Sequence, residues 1–355
     1  MPLHIGIVGL PNVGKSTLFQ VITRKEIDRA NYPFCTIDPN VGTVMVPDNR
    51  VDKLAALAHS LKKIYTVIEF VDIAGLVKGA SKGKGLGNKF LANVREVDMI
   101  VYVLRAFVND QIINVQPSID ILRDKEILDT EMALKDLVTL EKRINAIAKK
   151  AKTNDKEEEL ELMALRKAQA ILDKGGILSE EVFNDREQKI LKEYQLLTLK
   201  QRLYLLNGKE EEIDKKVIDV FEKNKWPYLV MDILTEFDGA NLSLEERISF
   251  GIAEKLNVNT FVRKTYSLLD LITFFTTGPD EARAWTLKKG STAPQAGGVI
   301  HTDFEKNFIK ADVIQWEELL ASGGFSSAQK KGLVRMEGKN YLIQDGDVII
   351  IRSGV

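Results

Sequence analysis

His4-Ile-Gly-Ile-Val-Gly9-Leu-Pro-Asn-Val-Gly14-Lys15-Ser16-Thr17 is the stretch on which the fold turns. Its opening, His4–Val8, is an apolar, partly β-branched run that suits a strand buried on both faces. Gly9 to Ser16 then matches G-x-x-x-x-G-K-[ST], and Lys15–Thr23 reads as a helix. Glycines let the backbone wrap closely, so successive N–H groups aim at phosphate oxygens at a helix N-terminus. Asn12, Val13, Gly14, Lys15, Ser16 and Thr17 are therefore the expected phosphate cradle. Lys15 supplies a point charge for the β- and γ-phosphates, and the Ser16 hydroxyl ligates Mg²⁺.

Two further pieces belong to a nucleotide-dependent switch. The apolar run Thr66–Val71 ends in Asp72-Ile-Ala-Gly75, where Asp72 is expected at Mg²⁺ and the Gly75 N–H at the γ-phosphate. Between the two motifs lies Tyr32-Pro-Phe-Cys35-Thr36-Ile-Asp-Pro-Asn40, whose Thr36 is placed to complete the metal sphere and sense the γ-phosphate. Lys15, Thr36 and Gly75 form the expected catalytic set, and Ser16, Thr36 and Asp72 the expected metal set. Ras-like GTPases orient the attacking water with a glutamine after D-x-x-G. Leu76 stands there and can neither donate nor accept a hydrogen bond, which predicts slow intrinsic hydrolysis. The Lys78–Lys89 stretch, alternating lysine and glycine, reads as a loop that orders on binding.

Base recognition departs from the guanine pattern N-K-x-D. The run Arg202–Leu206 leads into Asn207-Gly208-Lys209-Glu210, with the lysine displaced by one position and Glu in place of Asp. A fork built for Asp is misplaced, and a site that loses such a contact loses discrimination steeply. Asn207, Gly208 and Glu210 are the expected base-contacting positions, with adenine read through Asn207 and the backbone around Gly208.

Working outward, strand-like runs recur at Thr43–Val46, Met99–Leu104 and Tyr228–Met231. They predict an α/β architecture with a doubly wound sheet. Residues 121–200 interrupt it, with 16 basic and 17 acidic residues in that window. Ala133, Leu137, Leu140, Ile144, Ile147 and Ala151 step at the seam spacing of packed helices. A turn at Thr153-Asn154-Asp155 leads into a second helix from Lys156, Gly175-Gly176 ends it, and Ser179-Glu-Glu is expected to cap another segment. Lys149, Lys150 and Lys152 would cluster at the tip of this hairpin, either as a partner contact or as a solvated spacer. From Leu271, strand-like Ile272–Thr276 and Ala284–Leu287, a helical Ala311–Leu320 and the turn-strand Asp345-Gly-Asp-Val-Ile-Ile-Ile suit a small α+β unit.

The chain has 355 residues, 45% hydrophobic and 28% charged, enough apolar material for two or three cores at ~150 residues per domain. The formal net charge of -1 gives no overall basic field, so an RNA or ribosomal partner must be met through local patches. The single cysteine, Cys35, excludes an intrachain disulfide and suits a reducing, cytoplasmic setting. Cys35 adjoins Thr36, which leaves it either inert or a redox-sensitive thiol. No apolar stretch is long enough to span a membrane. His4, His59 and His301 are scattered; His4 and His59 read as structural, and His301 as a turn or partner residue.

Gly9–Thr17, Phe34-Cys-Thr-Ile-Asp-Pro-Asn40, Asp72–Leu76, Gly85-Leu-Gly-Asn88 and Asn207 with Glu210 together resemble the Obg-like ATPase family, the YchF proteins. At the C-terminus Ile300-His-Thr-Asp-Phe304, Glu337-Gly-Lys-Asn-Tyr341 and Asp345-Gly-Asp347 look like that family's TGS domain. The resemblance implies a P-loop NTPase domain over 1–120 and 200–270, a helical coiled-coil insertion over 121–199, and a ubiquitin-like TGS domain over 271–355. It also implies ATP as substrate with GTP weaker, Mg²⁺ as cofactor, and association with the ribosome. Two alternatives stay open: a GTPase of the same architecture, and a nucleotide-gated binding module with incidental hydrolysis. The family often has His-Val where Asn114-Val115 stands, a larger side chain at Gly208, and a small-residue pair within the segment matching Val230–Leu234.

Overall fold

The computed structural model describes residues 3–24, 40–73, 94–109, 118–150, 156–250, 252 and 257–354. The strands are β1 (His4–Val8), β2 (Val41–Met45), β3 (Lys62–Ile64), β4 (Val67–Asp72), β5 (Met99–Arg105), β6 (Gln201–Asn207), β7 (Tyr228–Met231), β8 (Leu271–Thr277), β9 (Glu281–Lys288), β10 (Phe308–Gln315), β11 (Arg335–Glu337) and β12 (Asp347–Ser353). The helices that matter most are α1 (Lys15–Thr23), α2 (Asn49–Ala58), α3 (Ile121–Lys150), α4 (Lys156–Asp173), α5 (Asp185–Glu193), α6 (Lys215–Lys223) and α7 (Ile233–Gly239).

The first sheet runs β2-β4-β1-β5-β6-β7. All its pairings are parallel except the β2–β4 edge. β5 is buried along its whole length, as its unbroken apolar run requires when helices cover both faces. Tyr102, Tyr204 and Phe221 pack edge to face beside it, joining β5, β6 and α6 into one core.

α3 and α4 leave this sheet between β5 and β6. Ala133, Leu140 and Ile147 are buried against Leu165, Ala168 and Leu172, with Leu137 and Ile144 partly covered, so the expected seam packs. Ala151 and the expected turn at 153–155 lie outside the described residues, as do Lys150's side chain and Lys152. At the root of the hairpin, buried Asp136 accepts hydrogen bonds from Leu197 N (2.9 Å), Thr198 N (2.7 Å) and Thr198 Oγ1 (2.7 Å). Burial lifts its carboxyl above the ordinary range although those bonds oppose the shift. Ser179 does not cap a helix: Leu178–Glu180 is a single 3₁₀ turn without a side-chain cap. The cap belongs to Asn184, which forms a reciprocal box with Glu187 at the start of α5.

The second sheet runs β11-β10-β12-β8-β9-β3. The expected helix over Ala311–Leu320 is corrected here. β10 occupies Phe308–Gln315, paired on both sides by β11 and β12, and only Trp316–Ser322 is helical. The β-branched residues Val313 and Ile314 face buried positions in register with Ile349 and Val348, so cross-strand packing outweighs local helical spacing.

β3 comes from the first sheet's side of the chain. After β2 the backbone crosses over, lays α2 and β3 on the second sheet, and returns as β4. Residues 49–64, which the division above gives to the nucleotide domain, thus complete the C-terminal sheet. Val51 and Leu54 are buried with Phe275, Ala284, Ile314, Leu319, Ala328 and Val348. Arg50 pairs locally with Asp48 (2.7 Å) and, across the junction, with Asp345 (2.6 Å). No described helix is long and apolar enough to cross a membrane.

Candidate functional site at the phosphate loop

β1 delivers Gly9–Gly14 to the carboxyl edge of the first sheet, where ligands of open α/β folds bind. Gly14 caps α1 with φ 101°, and a Cβ there would lie 2.6 Å from the Asn207 amide nitrogen, so only glycine closes this turn. Asn12 also has positive φ, 63°, which asparagine tolerates better than most residues. Val13 is buried, while Asn12 and Ser16 face outward. The turn therefore presents its own backbone and the first turn of α1 at the sheet edge, an anion-binding arrangement.

Lys15 is almost wholly buried, and its Nζ donates to Leu10 O at 2.7 Å inside the loop. Burial lowers its pKa to about 8, with the Asp72 charge pulling the other way. Ser16 Oγ donates to Asp72 Oδ2 at 3.3 Å. Because β1 and β4 pair in parallel with Ile7 opposite Asp72, the carboxylate ends level with the start of the loop. A hydroxyl and a carboxylate converging beside a phosphate loop are hard oxygen donors of the kind Mg²⁺ takes. Thr36, Gly75, Leu76, Cys35, Asn114 and the Lys78–Lys89 stretch lie outside the described residues.

Asn207 sits at the end of β6, buried, with its amide spent on backbone groups. Nδ2 donates to Val13 O at 2.9 Å, and Oδ1 accepts from Ile233 N at 3.0 Å. It ties the phosphate loop to the turn after β7 instead of presenting its amide to a ligand. Gly208 is buried beside Ala106, and Glu210 is exposed in a 3₁₀ turn. The residue type carries no sign of the Asn207 tie, since an asparagine amide serves a ligand or a carbonyl equally well.

Of the histidines, His4 Nε2 lies 2.9 Å from buried Glu69 at the opposite end of the sheet. His59 ends α2 in the left-handed region, and His301 Nδ1 accepts from Asp303 N at 3.2 Å as a turn cap.

With the geometry in place, the relatives can be set beside it. The family described as a 50S ribosome-binding GTPase matches residues 4–142, and YchF-GTPase_C, described as a protein of unknown function, matches residues 271–353. The ribosome-binding ATPase YchF of Bacillus subtilis is 45% identical, covering 100% of both chains. This chain belongs to the YchF family. Obg-like ATPase 1 of Gallus gallus is 39% identical over 99% of this chain and 92% of that one. The solved Schizosaccharomyces pombe YchF GTPase superposes with a TM-score of 0.87 at 34% identity, covering 99% and 97% of the two chains. The YchF likeness thus spans both sheets and the helical hairpin between them.

A pH dependence follows from Lys15. Placing a polyphosphate beside the amine favours its charged form, so above pH ~8 binding takes up about one proton per site. The Lys15 contribution to tripolyphosphate affinity is expected to be flat below that pH. Above it, affinity should fall by up to about tenfold per pH unit towards 10.5. Calorimetry at pH 9 in buffers of different ionisation enthalpy checks this; heats independent of buffer would contradict it.

Proposed function

We propose that this chain is a Mg²⁺-dependent ATPase of slow intrinsic turnover that works on the ribosome. The observation that carries this reading is the glycine-capped loop holding Lys15 and Ser16 beside Asp72. It lies in a chain matched end to end by relatives named ribosome-binding ATPases.

Lys15 would give up its Leu10 carbonyl for the β- and γ-phosphates, and Gly14 to Thr17 would donate backbone N–H groups to the same oxygens. Ser16 and Asp72, with Thr36, would hold Mg²⁺, which supplies charge neutralisation on the phosphates when bound. Gly75 N–H would meet the γ-phosphate, and water is the acceptor. With Leu76 in the place of a water-orienting glutamine, turnover depends on another residue or a partner. Asn207 braces the loop, while the Gly208 backbone and Glu210 face the base.

In domain terms the reading is a nucleotide domain over 1–120 and 200–270, a coiled-coil insertion over 121–199 and a TGS domain over 271–355, with 49–64 built into the last. RNA contact would come from the TGS domain, the Lys78–Lys89 stretch and the end of α3 at exposed Lys149. A cytoplasmic location suits this partner.

GTPase activity is the second reading, favoured by the name of the S. pombe relative and by the 50S ribosome-binding GTPase match. Competing ATP and GTP against a fluorescent nucleotide, then measuring turnover with and without ribosomal particles, separates the two. ATP preference and ribosome-stimulated turnover are expected. A tenfold preference for GTP would install the rival, and turnover indifferent to ribosomes would leave a nucleotide-gated binding module.

A further inference from the structure

We propose that a clamp centred on Lys200, at the root of the hairpin, transmits the state of the nucleotide site to α3. This regulation rests on the nucleotide-binding reading above and adds to it a physical route from Asp72 to the hairpin.

The route begins beside the phosphate loop. Ile73 follows Asp72, is fully buried, and its Cδ1 lies 2.6 Å from where a Cβ on Gly6 would stand. Val97 Cγ2 lies 3.2 Å from the same point. Two side chains, one from each end of the stretch joining β4 to β5, thus fill the space that glycine leaves open on β1. Packed interiors hold little slack, so a displacement of Ile73 is felt at Val97.

Val97 is also where the hairpin takes hold. Lys200 lies in the linker between the hairpin and β6, and its Nζ donates to Val97 O at 2.5 Å and Arg95 O at 2.9 Å. Arg95 reaches the other way, its Nη2 donating to Thr139 Oγ1 on α3 at 2.5 Å. Asp136, one turn earlier on α3, holds Leu197 N and Thr198 N just ahead of Lys200. These contacts close a ring through residues 95–97, 136–139 and 197–200. Burial lowers the Lys200 pKa although Asp98 and Asp136 pull it up, so its two carbonyl contacts are charge-assisted bonds made out of water.

The ring is registered on β1 as well. Asp98 N donates to His4 O at 2.7 Å, and His4 N to Asp98 Oδ2 at 2.9 Å, at the start of the strand that ends in the phosphate loop. Anchoring alone would be served by the hairpin's two chain connections and by Asp136. Lys200 and Arg95 add a hold on the one stretch that starts at Asp72.

Amide hydrogen exchange with and without the β,γ-imido analogue of ATP and Mg²⁺ tests this in wild type, Lys200→Met and Thr139→Val. In wild type the bound analogue should slow exchange at 132–140 and 196–200 at least about fivefold. Both variants should bind the analogue within about twofold of wild type and lose most of that response. Thr139→Val removes only the hydroxyl that Arg95 meets, and a melting temperature close to wild type's separates its lost response from a folding defect. Wild-type exchange indifferent to bound analogue overturns the proposal, and so does a full response in Lys200→Met. If the analogue does not bind wild type at all, the nucleotide-binding reading falls with the proposal, and the binding titration tells that failure from a loss of coupling.

Discussion

Lys15→Met is expected to lower ATP turnover roughly 10³-fold while leaving the protein no less stable. The loss follows from removing the cation that meets charge developing on the transferring phosphoryl group, in a water-poor loop where such contacts are strongest. The stability half has the opposite sign from most active-site substitutions. Burial holds the amine at about 8 against an ordinary 10.5, so keeping it charged at pH 7 costs the fold about 3 kcal/mol. The unfolded chain binds the proton more tightly. The Lys15 contribution to wild-type stability is therefore lowest below pH ~8 and rises between about 8 and 10.5, where the native amine is already neutral. Methionine has similar length and no charge, so it removes that cost and the pH-dependent rise together. It leaves Leu10 O without its donor, which offsets part of the gain. Chemical denaturation at pH 7 and pH 9, beside steady-state turnover, reads both halves. A variant that unfolds well before wild type at pH 7 would show the ammonium to be a structural group.

What the sequence revealed and what it hid divide along one physical line. The buried parallel strands were legible because burial on both faces leaves an unbroken apolar run, as in Met99–Leu104. The phosphate loop was legible because close backbone approach demands glycine at fixed spacing, and the hairpin seam because packed helices impose a period. Each is a local pattern with a local cause. β3 is three residues, Lys-Lys-Ile, and it is a strand only because β9, more than two hundred positions later, offers it hydrogen bonds. β10 misled for the same reason: Ala311–Gln315 tolerates a helix locally, and two flanking strands decide against it. At the phosphate loop, Lys15, Ser16 and Asp72 lie side by side. Asn207 was expected at the base, and its amide atoms serve Val13 and Ile233. Hydrogen-bond partners are long-range facts that a residue type alone does not carry.

The excursion between β2 and β4 leads to the second large effect. Leu54→Ala is expected to cost about 2–5 kcal/mol and to destabilise a sheet that begins more than two hundred residues downstream. Leu54 is 1% exposed and shares a core with Phe275, Ile314, Leu319 and Val348. Truncation leaves a cavity among side chains from both sides of the chain crossing, of which Phe275, Ile314 and Val348 are held by strand pairing, so the site cannot collapse cheaply. The surrounding stitches do not replace that packing. Leu61 N donates to Pro279 O at 2.9 Å and Ser60 Oγ to Gly278 O at 2.7 Å, and the Arg50 guanidinium lies over Phe275. These contacts keep α2 in place while the core beneath it is hollowed, so the loss should show as lower stability and not as a detached helix. Trp285 and Trp316 lie on the second sheet's side and Trp226 beside the first. In a Trp226→Phe background, fluorescence therefore reports the C-terminal transition directly, and its urea midpoint should fall in the Leu54→Ala variant. A shift worth under about 1 kcal/mol would mean that α2 merely rests on the C-terminal sheet. A full shift would make residues 49–64 part of that sheet's fold, although the chain enters and leaves them through β2 and β4 of the nucleotide-binding sheet.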